Sequence, residues 1–571
     1  MAHAQGASRR ETAELFVTAG LATGFVCAAF AAAASSVVAV LYFTGSFGES
    51  TGFGVKILAK AVAFTIAAGL CLWILNRSRS RLAAGTRELK TDRRHSPWGF
   101  LPAALVAATL LFSNLNRHPW PAPDELHHLV VARNLAEHGA YASGLSPNLV
   151  WFDHYDSVGA PVIGLVAGAF KIFGVSLAPA RAVLASFGVT LIVLVYFVFL
   201  PLFGARASGL ASFFALAAFG TLYLARSLYG EVPALAFVLL GLLAWRRGLV
   251  PGNSLFFLIA AGLCFGLAVL TKTFMGVAAL AVLGAYVFDR ATYRRIPAKG
   301  ILLPAVAALG VLSAWQTVEF AARHLVAEDK PSLALYYRHS LTFGLGQIWD
   351  NIGLIAMAIP ALALAVWAMG AVVPKVFRNQ YDPALAVLLF LAPLFVFWFA
   401  FFTPMHLPRY LWYPSVIAAM FCGPLVHRAM GWRSAAASRR SLYMPARVAI
   451  AGLVAWVLLV PAAEISYKVF RSDYAGPDQA VARYVATLPA GTRIATTYWP
   501  AERLLNFLGE RQVTVLTPEG PSTEEYDVLI DSDLAEIALT SRIEPSQRFG
   551  HYVIYRRDAG EEQLASLGAN P

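Results

Sequence analysis

The sequence predicts an all-α polytopic membrane protein of about thirteen transmembrane helices, followed by a small C-terminal extracytoplasmic α/β domain. Three observations carry that expectation. Of 571 residues, 58% are hydrophobic and only 14% charged, against about 25% charged in an ordinary soluble chain. The apolar residues arrive in blocks long enough to span a bilayer, and the mean hydropathy is +0.61. Lys and Arg gather in short clusters between alternate blocks, as orientation signals do. Those clusters account for the net charge of +12. No recognisable nucleic-acid module accompanies them, so no nucleic-acid partner is expected. Cys27, Cys71, Cys264 and Cys422 lie far apart inside apolar stretches, without zinc spacing or a disulfide framework, and read as packing residues.

The apolar runs fall near 14–43, 52–76, 98–114, 180–203, 207–226, 231–247, 254–270, 274–288, 301–320, 351–373, 384–402, 408–428 and 447–464. The first is too long for a signal-peptide core and lacks a convincing cleavage site, so it should remain as an anchor. The short runs 231–247 and 274–288 fit helices next to loops that dip into a protein-lined cavity. With Arg9 and Arg10 cytoplasmic, the loop after the second run faces inward and carries Arg77, Arg79, Arg81, Arg87, Lys90, Arg93 and Arg94. Later inward loops hold Arg246 and Arg247, then Arg290 to Lys299, then Lys375 and Arg378, then Arg433 to Arg447. This count places the N-terminus in the cytoplasm and the C-terminus outside, and a multi-pass protein of the cytoplasmic membrane is expected.

Three regions follow. Residues 1–97 are two N-terminal spans with a basic loop, 98–464 a helical core whose first outward loop is 115–179, and 465–571 the extracytoplasmic domain. Within 115–179, the apolar stretch Pro161 to Gly174 is interrupted by Lys171 and should lie along the membrane interface. In the tail, Asp478–Thr487 and Ala501–Leu508 read as helices, and Arg493–Tyr498, Gln512–Leu516, Tyr526–Ile530 and Tyr552–Tyr555 as strands.

The stretch Pro121-Ala122-Pro123-Asp124-Glu125-Leu126-His127-His128 opens that first outward loop. Pro123 followed by two acids suits the first turn of a helix, whose dipole favours negative charge. Such acids can simply stabilise the turn. On a helix, however, Asp124 also shares a face with His127 and His128. A loop that opens in this way resembles those of the protein O-mannosyltransferases, the aminoarabinose transferase of lipid A and the RgtA/B/C/D-like enzymes. All are membrane-embedded glycosyltransferases of the GT-C superfamily.

Further stretches extend the resemblance in order. They are Gly159-Ala160-Pro161-Val162-Ile163-Gly164-Leu165, Ala225-Arg226-Ser227-Leu228-Tyr229-Gly230-Glu231-Val232-Pro233, Gly266-Leu267-Ala268-Val269-Leu270-Thr271-Lys272 and Pro408-Arg409-Tyr410-Leu411-Trp412-Tyr413-Pro414. The resemblance implies a GT-C-like fold and transfer of a hexosyl or pentosyl group from a polyprenyl-phosphate donor to a lipid, glycan or protein acceptor. It makes Asp124 the catalytic base, with Glu125 beside it, since an acceptor hydroxyl must lose its proton during attack. A single displacement of this kind inverts the anomeric carbon. Lys272 and Arg409, with Arg226 behind them, would hold the donor phosphate, although long cations at helix ends also snorkel to headgroups. Glu231, His128, Asp153 and Tyr410 would line the substrate side.

No cofactor is required by this reading. A divalent metal is left open, with Asp124, His127 and His128 as its ligands, because some members bind one near this region and others need none. Asp531-Ser532-Asp533 matches a nucleotide-sugar motif, but a strand ending in a polar turn explains it more simply. The rival class is a multi-span transporter or flippase, which predicts internal repeats and mid-bilayer charges instead.

Overall fold

The computed structural model describes residues 98–322, 381–402, 408–431, 476–509, 511–516, 526–532, 546–549 and 552–556, with short breaks at 117, 120, 146–148, 153–157, 253–254 and 497–498. The expected spans at 14–43, 52–76, 351–373 and 447–464 lie outside the described residues.

The helices in order are α1 (Leu101–Phe112), α2 (Pro123–His138), α3 (Ala160–Phe173), α4 (Leu177–Ala217), α5 (Glu231–Gly248) and α6 (Leu255–Thr271). They continue with α7 (Gly276–Thr292), α8 (Lys299–Ala322), α9 (Pro383–Phe402) and α10 (Trp412–Gly431). Among the described residues, four helical stretches are long and apolar enough to cross a membrane: Leu177–Ala217, Thr273–Thr292, Lys299–Ala322 and Pro383–Ala400.

Two spans differ from expectation. The run 98–114 yields only the 12 residues of α1, about 18 Å of helix. The run 207–226 stops at Ala217, where Gly220 at φ 80° breaks the helix. The chain then passes through the short turn Thr221–Leu224 to Gly230. This irregular stretch keeps Leu222, Leu224, Ala225, Arg226 and Tyr229 buried, as backbone at membrane depth requires.

Helix α4 is two limbs joined at Gly204, whose φ of 77° and ψ of 173° are not helical. The Ser212 hydroxyl donates to the Ile192 carbonyl at 2.8 Å, whereas 20 residues of straight helix would separate them by about 30 Å. The chain therefore folds back on itself at Gly204. The two limbs pack with α5, α7, α9 and α10 around a core that includes Trp245, Trp412, Phe199 and Phe288.

Helix α8 presents Leu302, Val306, Leu309 and Phe320 outward, an apolar surface suited to lipid. Its other side meets α6 through Gly262 and Gly266, one turn apart. A Cβ on Gly262 would stand 2.3 Å from the Pro304 carbonyl oxygen, and one on Gly266 3.0 Å from that of Ala308. Small residues at this spacing let two backbones approach closely.

Helix α2 starts at Pro123 and ends at Gly139, which caps it at φ 69°. Helix α3 buries Val162, Ile163, Val166 and Phe170 and exposes Leu165, Ile172 and Phe173, the division expected of a helix lying along an interface. A short antiparallel pair, β1 (Ala142–Ser143) and β2 (Val150–Trp151), lies between them.

The C-terminal elements are α11 (Gly476–Thr487), β3 (Ile494–Thr496), α12 (Trp499–Leu508), β4 (Val513–Val515), β5 (Val528–Ser532), β6 (Gln547–Phe549) and β7 (Tyr552–Arg556). Their sheet has the order β4-β3-β5-β7-β6, with β3 parallel to β4 and β5, and β7 antiparallel to β5 and β6. Asp531 lies buried within β5, which ends two residues beyond the expected strand Tyr526–Ile530, and it accepts from the Ser532 amide at 2.8 Å. A second core joins this unit to α2 and α3 through Leu126, Leu129, Ile163, Val166, Leu505 and Ile530.

Gly262→Val should wedge α6 from α8 and lower stability by about 1–3 kcal/mol. Gly310→Ala, which meets nothing within 4 Å, should leave the melting temperature unchanged in the same detergent. Equal melting temperatures for both variants would contradict this packing.

Candidate active site

Five charged side chains from five parts of the chain meet where α5 begins and α6 ends. Asp124 comes from the first turn of α2, Glu231 opens α5, and Lys272 directly follows α6. Arg409 lies in the 3-10 turn Pro408–Leu411, and Arg503 in α12. The charges alternate. Arg503 Nη1 is 3.5 Å from Asp124 Oδ1, and Arg409 Nη1 is 3.0 Å from Asp124 Oδ2. Arg409 Nε is 4.0 Å from Glu231 Oε1, which Lys272 Nζ approaches to 3.4 Å. Three cations against two carboxylates sum to one positive charge over these five groups.

The group is graded in exposure. Glu231 and Lys272 are 0% and 3% exposed, Arg409 18%, and Asp124 41%. Neither oxygen of Glu231 accepts a hydrogen bond among the described residues, so its charge rests on the two nearby cations. The Arg409 guanidinium lies 4.6 Å from the Tyr229 ring centre and 5.4 Å from that of Tyr410, which fixes its plane. A phenol contact between Tyr223 and Tyr229 at 3.3 Å braces the first of these rings.

Two glycines permit the convergence. Gly230, at φ 82°, turns the chain directly into Glu231, and a Cβ there would meet Val158 and Lys272 Cε at 3.3–3.4 Å. The Gly159 amide donates to the Thr271 carbonyl at 3.0 Å. A Cβ on Gly159 would fall 1.6 Å from the Leu270 carbonyl oxygen, so only glycine brings the start of α3 against the Lys272 turn.

The residues chosen from sequence separate into two groups. Asp124, Glu231, Lys272, Arg409 and Tyr410 are brought together. Glu125 is not with them: successive helical positions point about 100° apart, and Glu125 faces inward. It forms a bidentate pair with Arg181 at 3.0 and 3.1 Å, and both side chains are at most 1% exposed. Arg181 also donates to the Leu115 carbonyl at 2.9 Å. Arg226 is likewise occupied. Its Nη1 donates to Leu110 O at 3.2 Å and its Nη2 to Ser113 O, so it holds the carbonyls that end α1. Asp153 lies outside the described residues.

The surroundings of His127 and His128 disfavour their charged forms. Burial pushes His127 down to about 4, with Arg503 adding to the fall and Asp124 opposing it. Burial, then the neighbouring His127, holds His128 well below the usual imidazole range. His128 Nδ1 lies 2.8 Å from the Leu228 carbonyl, so in the neutral ring that nitrogen carries the proton. In the structure Asp124, His127 and His128 do not converge as a metal-ligand set. Among the described residues, no three His, Cys, Asp or Glu side chains do.

Sequence reasoning missed Arg181 and Arg503. Their carboxylate partners lie 56 and 379 residues away, and no local pattern announces a contact at that separation. The Gly159 approach did carry a signal, a glycine two residues before Pro161 at a helix start.

Comparison with known proteins bears on the fold. The family of dolichyl-phosphate-mannose-protein mannosyltransferases matches residues 159–316, which include three of the stretches quoted above but neither Asp124 nor Arg409. No curated protein matches the chain. Among solved structures it is similar to ArnT from Cupriavidus metallidurans bound to undecaprenyl phosphate. The TM-score is 0.56 and the identity 16%, over 80% of this chain and 96% of that one. The same enzyme in the apo state matches with a TM-score of 0.53 at 16% identity, over the same shares of both chains. AglB from Archaeoglobus fulgidus, in complex with an inhibitory peptide and a dolichol-phosphate, gives a TM-score of 0.44 at 14% identity over 76% of this chain and 69% of that one. The resemblance to GT-C membrane glycosyltransferases holds in fold and, over 159–316, in sequence.

Gly159→Ala should displace the start of α3 from the Lys272 turn, lowering the melting temperature, whereas Gly164→Ala, with open space at its Cβ, should not. Arg181→Ala leaves the buried Glu125 charge without its partner and should cost about 3–5 kcal/mol, read by thermal unfolding. A melting temperature unchanged by Arg181→Ala would remove the scaffold role of that pair.

Proposed function

We propose that this protein is a glycosyltransferase that moves a sugar from a polyprenyl-phosphate carrier to an acceptor hydroxyl at the outer face of the cytoplasmic membrane. The single observation that carries the reading is the convergence of a half-exposed carboxylate, Asp124, with the deeply placed cations Lys272 and Arg409. Such a site offers a base on its open side and an anion-binding floor on its buried side. The GT-C fold, and the undecaprenyl phosphate bound by ArnT, support a lipid-phosphate donor.

In the proposed step the acceptor oxygen attacks the anomeric carbon. The bond from that carbon to the phosphate oxygen breaks, its electron pair stays with the phosphate, and the acceptor proton passes to Asp124. Lys272 and Arg409 stabilise the charge that grows on the leaving phosphate. Because attack and departure are on opposite faces, the anomeric configuration inverts.

Arg409 is shared between Asp124 and Glu231 in the structure. An arriving phosphate competes for that guanidinium and draws it away from Asp124, which opens a lone pair for the acceptor hydroxyl. Glu231 keeps both cations in place between turnovers. Glu125 and Arg226 act as supports that orient α2 and the end of α1, and His128, within electrostatic reach of Lys272 and Arg409, holds the Leu228 carbonyl.

Asp124→Asn should abolish transfer, read by mass spectrometry as loss of a sugar-sized mass increment from surface glycoconjugates, while binding of undecaprenyl phosphate to the purified protein persists. Lys272→Ala should weaken that binding by about tenfold or more, the scale of a charge-assisted contact. Full transfer by Asp124→Asn would end the proposal of this carboxylate as base.

A further inference from the structure

Asp124 has two tethers, and the proposed reaction uses up one of them. When the donor phosphate takes Arg409, the contact at Oδ2 is given up. The contact at Oδ1 belongs to Arg503, which comes from the C-terminal α/β unit and also lies 3.4 Å from the Pro123 carbonyl. We infer that Arg503 is a positioning residue, supplied by the C-terminal unit, that holds the Asp124 carboxylate in its reactive orientation while Arg409 is engaged with phosphate. This rests on the reading of Asp124 as the base.

The way α12 is mounted supports a fixed rather than a chance contact. Ala501, Leu504, Leu505 and Phe507 are buried. The Phe507 ring stacks on Phe170 of α3 with centroids 6.4 Å apart. Arg133 of α2 donates to the Phe507 carbonyl at 3.4 Å, and the Asn506 side chain accepts from the Val513 amide at 3.2 Å. The helix is thus anchored on both sides by contacts that do not involve Arg503. Its guanidinium is 29% exposed, and an ion pair at that exposure adds little to stability. Docking of the unit and positioning of the carboxylate are therefore separable by mutation.

Asp124 needs such help. At 41% exposure, in the first turn of a helix, its side chain has few packed neighbours to choose a rotamer for it. A carboxylate free to turn presents the wrong oxygen for much of the time, and small errors of placement are costly in rate.

The test uses the full-length protein. Product is the glycoconjugate mass increment that Asp124→Asn removes, measured as an initial rate in cells, and donor-site integrity is undecaprenyl phosphate binding to purified protein in nanodiscs. Arg503→Ala should slow product formation by about tenfold to a hundredfold. Its undecaprenyl phosphate affinity and unfolding temperature should match wild type, and Arg503→Lys should recover part of the rate. Product formation at the wild-type rate by Arg503→Ala would overturn the inference. So would a loss that tracks lost folding or lost lipid binding, because Arg503 would then be only a docking contact. If Asp124→Asn itself still makes product, the failure lies in the reading of the base. If Asp124→Asn is dead and Arg503→Ala is normal, only the positioning role fails.

Discussion

Glu231 carries its carboxylate at the first position of α5 with no exposed surface, and a charge so placed must be balanced by groups that cannot drift away. Stripping water from such a group costs several kcal/mol, which only close opposite charges can offset. Lys272 at 3.4 Å and Arg409 at 4.0 Å supply them, neither through an ideal hydrogen bond. An ion pair of this kind is a poor way to gain stability, since well-packed apolar residues would serve as well or better. Its value is that it stations two cations at one end of the helices, close to Asp124. Arg409 links the buried half of the arrangement to the exposed half.

The backbone is bent to serve that arrangement. Lys272 can stand where it does because Gly159 lets α3 begin against the Thr271 carbonyl, and Glu231 because Gly230 accepts a left-handed turn. The stretch between Ala217 and Glu231 gives up helix to form this floor, and it satisfies several of its polar groups inside the protein, although Arg226 Nε and Ser227 Oγ find no hydrogen-bond partner among the described residues. The Thr221 hydroxyl donates to the Ala215 carbonyl and accepts from the Trp412 indole, and the Leu228 carbonyl meets His128. Glu125, Arg181 and Arg226 do related work one layer out, pinning the end of α1 and the entry to α2.

Much of this was legible in the sequence, for reasons that can be stated. Apolar blocks of spanning or nearly spanning length mark α4 to α10 because lipid leaves the chain few alternatives, and four of the tail's five described strands showed as short extended runs, the exposed Gln547–Phe549 strand being missed. Lys272 and Arg409 stood out as charges at the ends of apolar runs, and Asp124 by the Pro123-Asp124-Glu125 stretch early in the first outward loop. The failures have physical causes as well. Apolar content cannot distinguish a helix from a buried irregular turn, so the 207–226 run read as one span. Adjacent acids on a helix point different ways, so Asp124 and Glu125 looked alike until the fold gave one of them Arg181. Arg226 read as a phosphate ligand by its position, whereas the reach of its guanidinium to α1 depends on tertiary contacts. Arg503 lay in a separate unit, without any pattern tying it to α2.

The proposed reaction turns on the exchange of Arg409 between Asp124 and a lipid phosphate. Electron cryomicroscopy of the full-length protein with bound undecaprenyl phosphate tests this most directly. The phosphate should lie within hydrogen-bond distance of Lys272 and Arg409, with Arg409 drawn off Asp124 and Arg503 still on it. A phosphate seated elsewhere, or an Arg409 that remains on Asp124 without touching the phosphate, would contradict it.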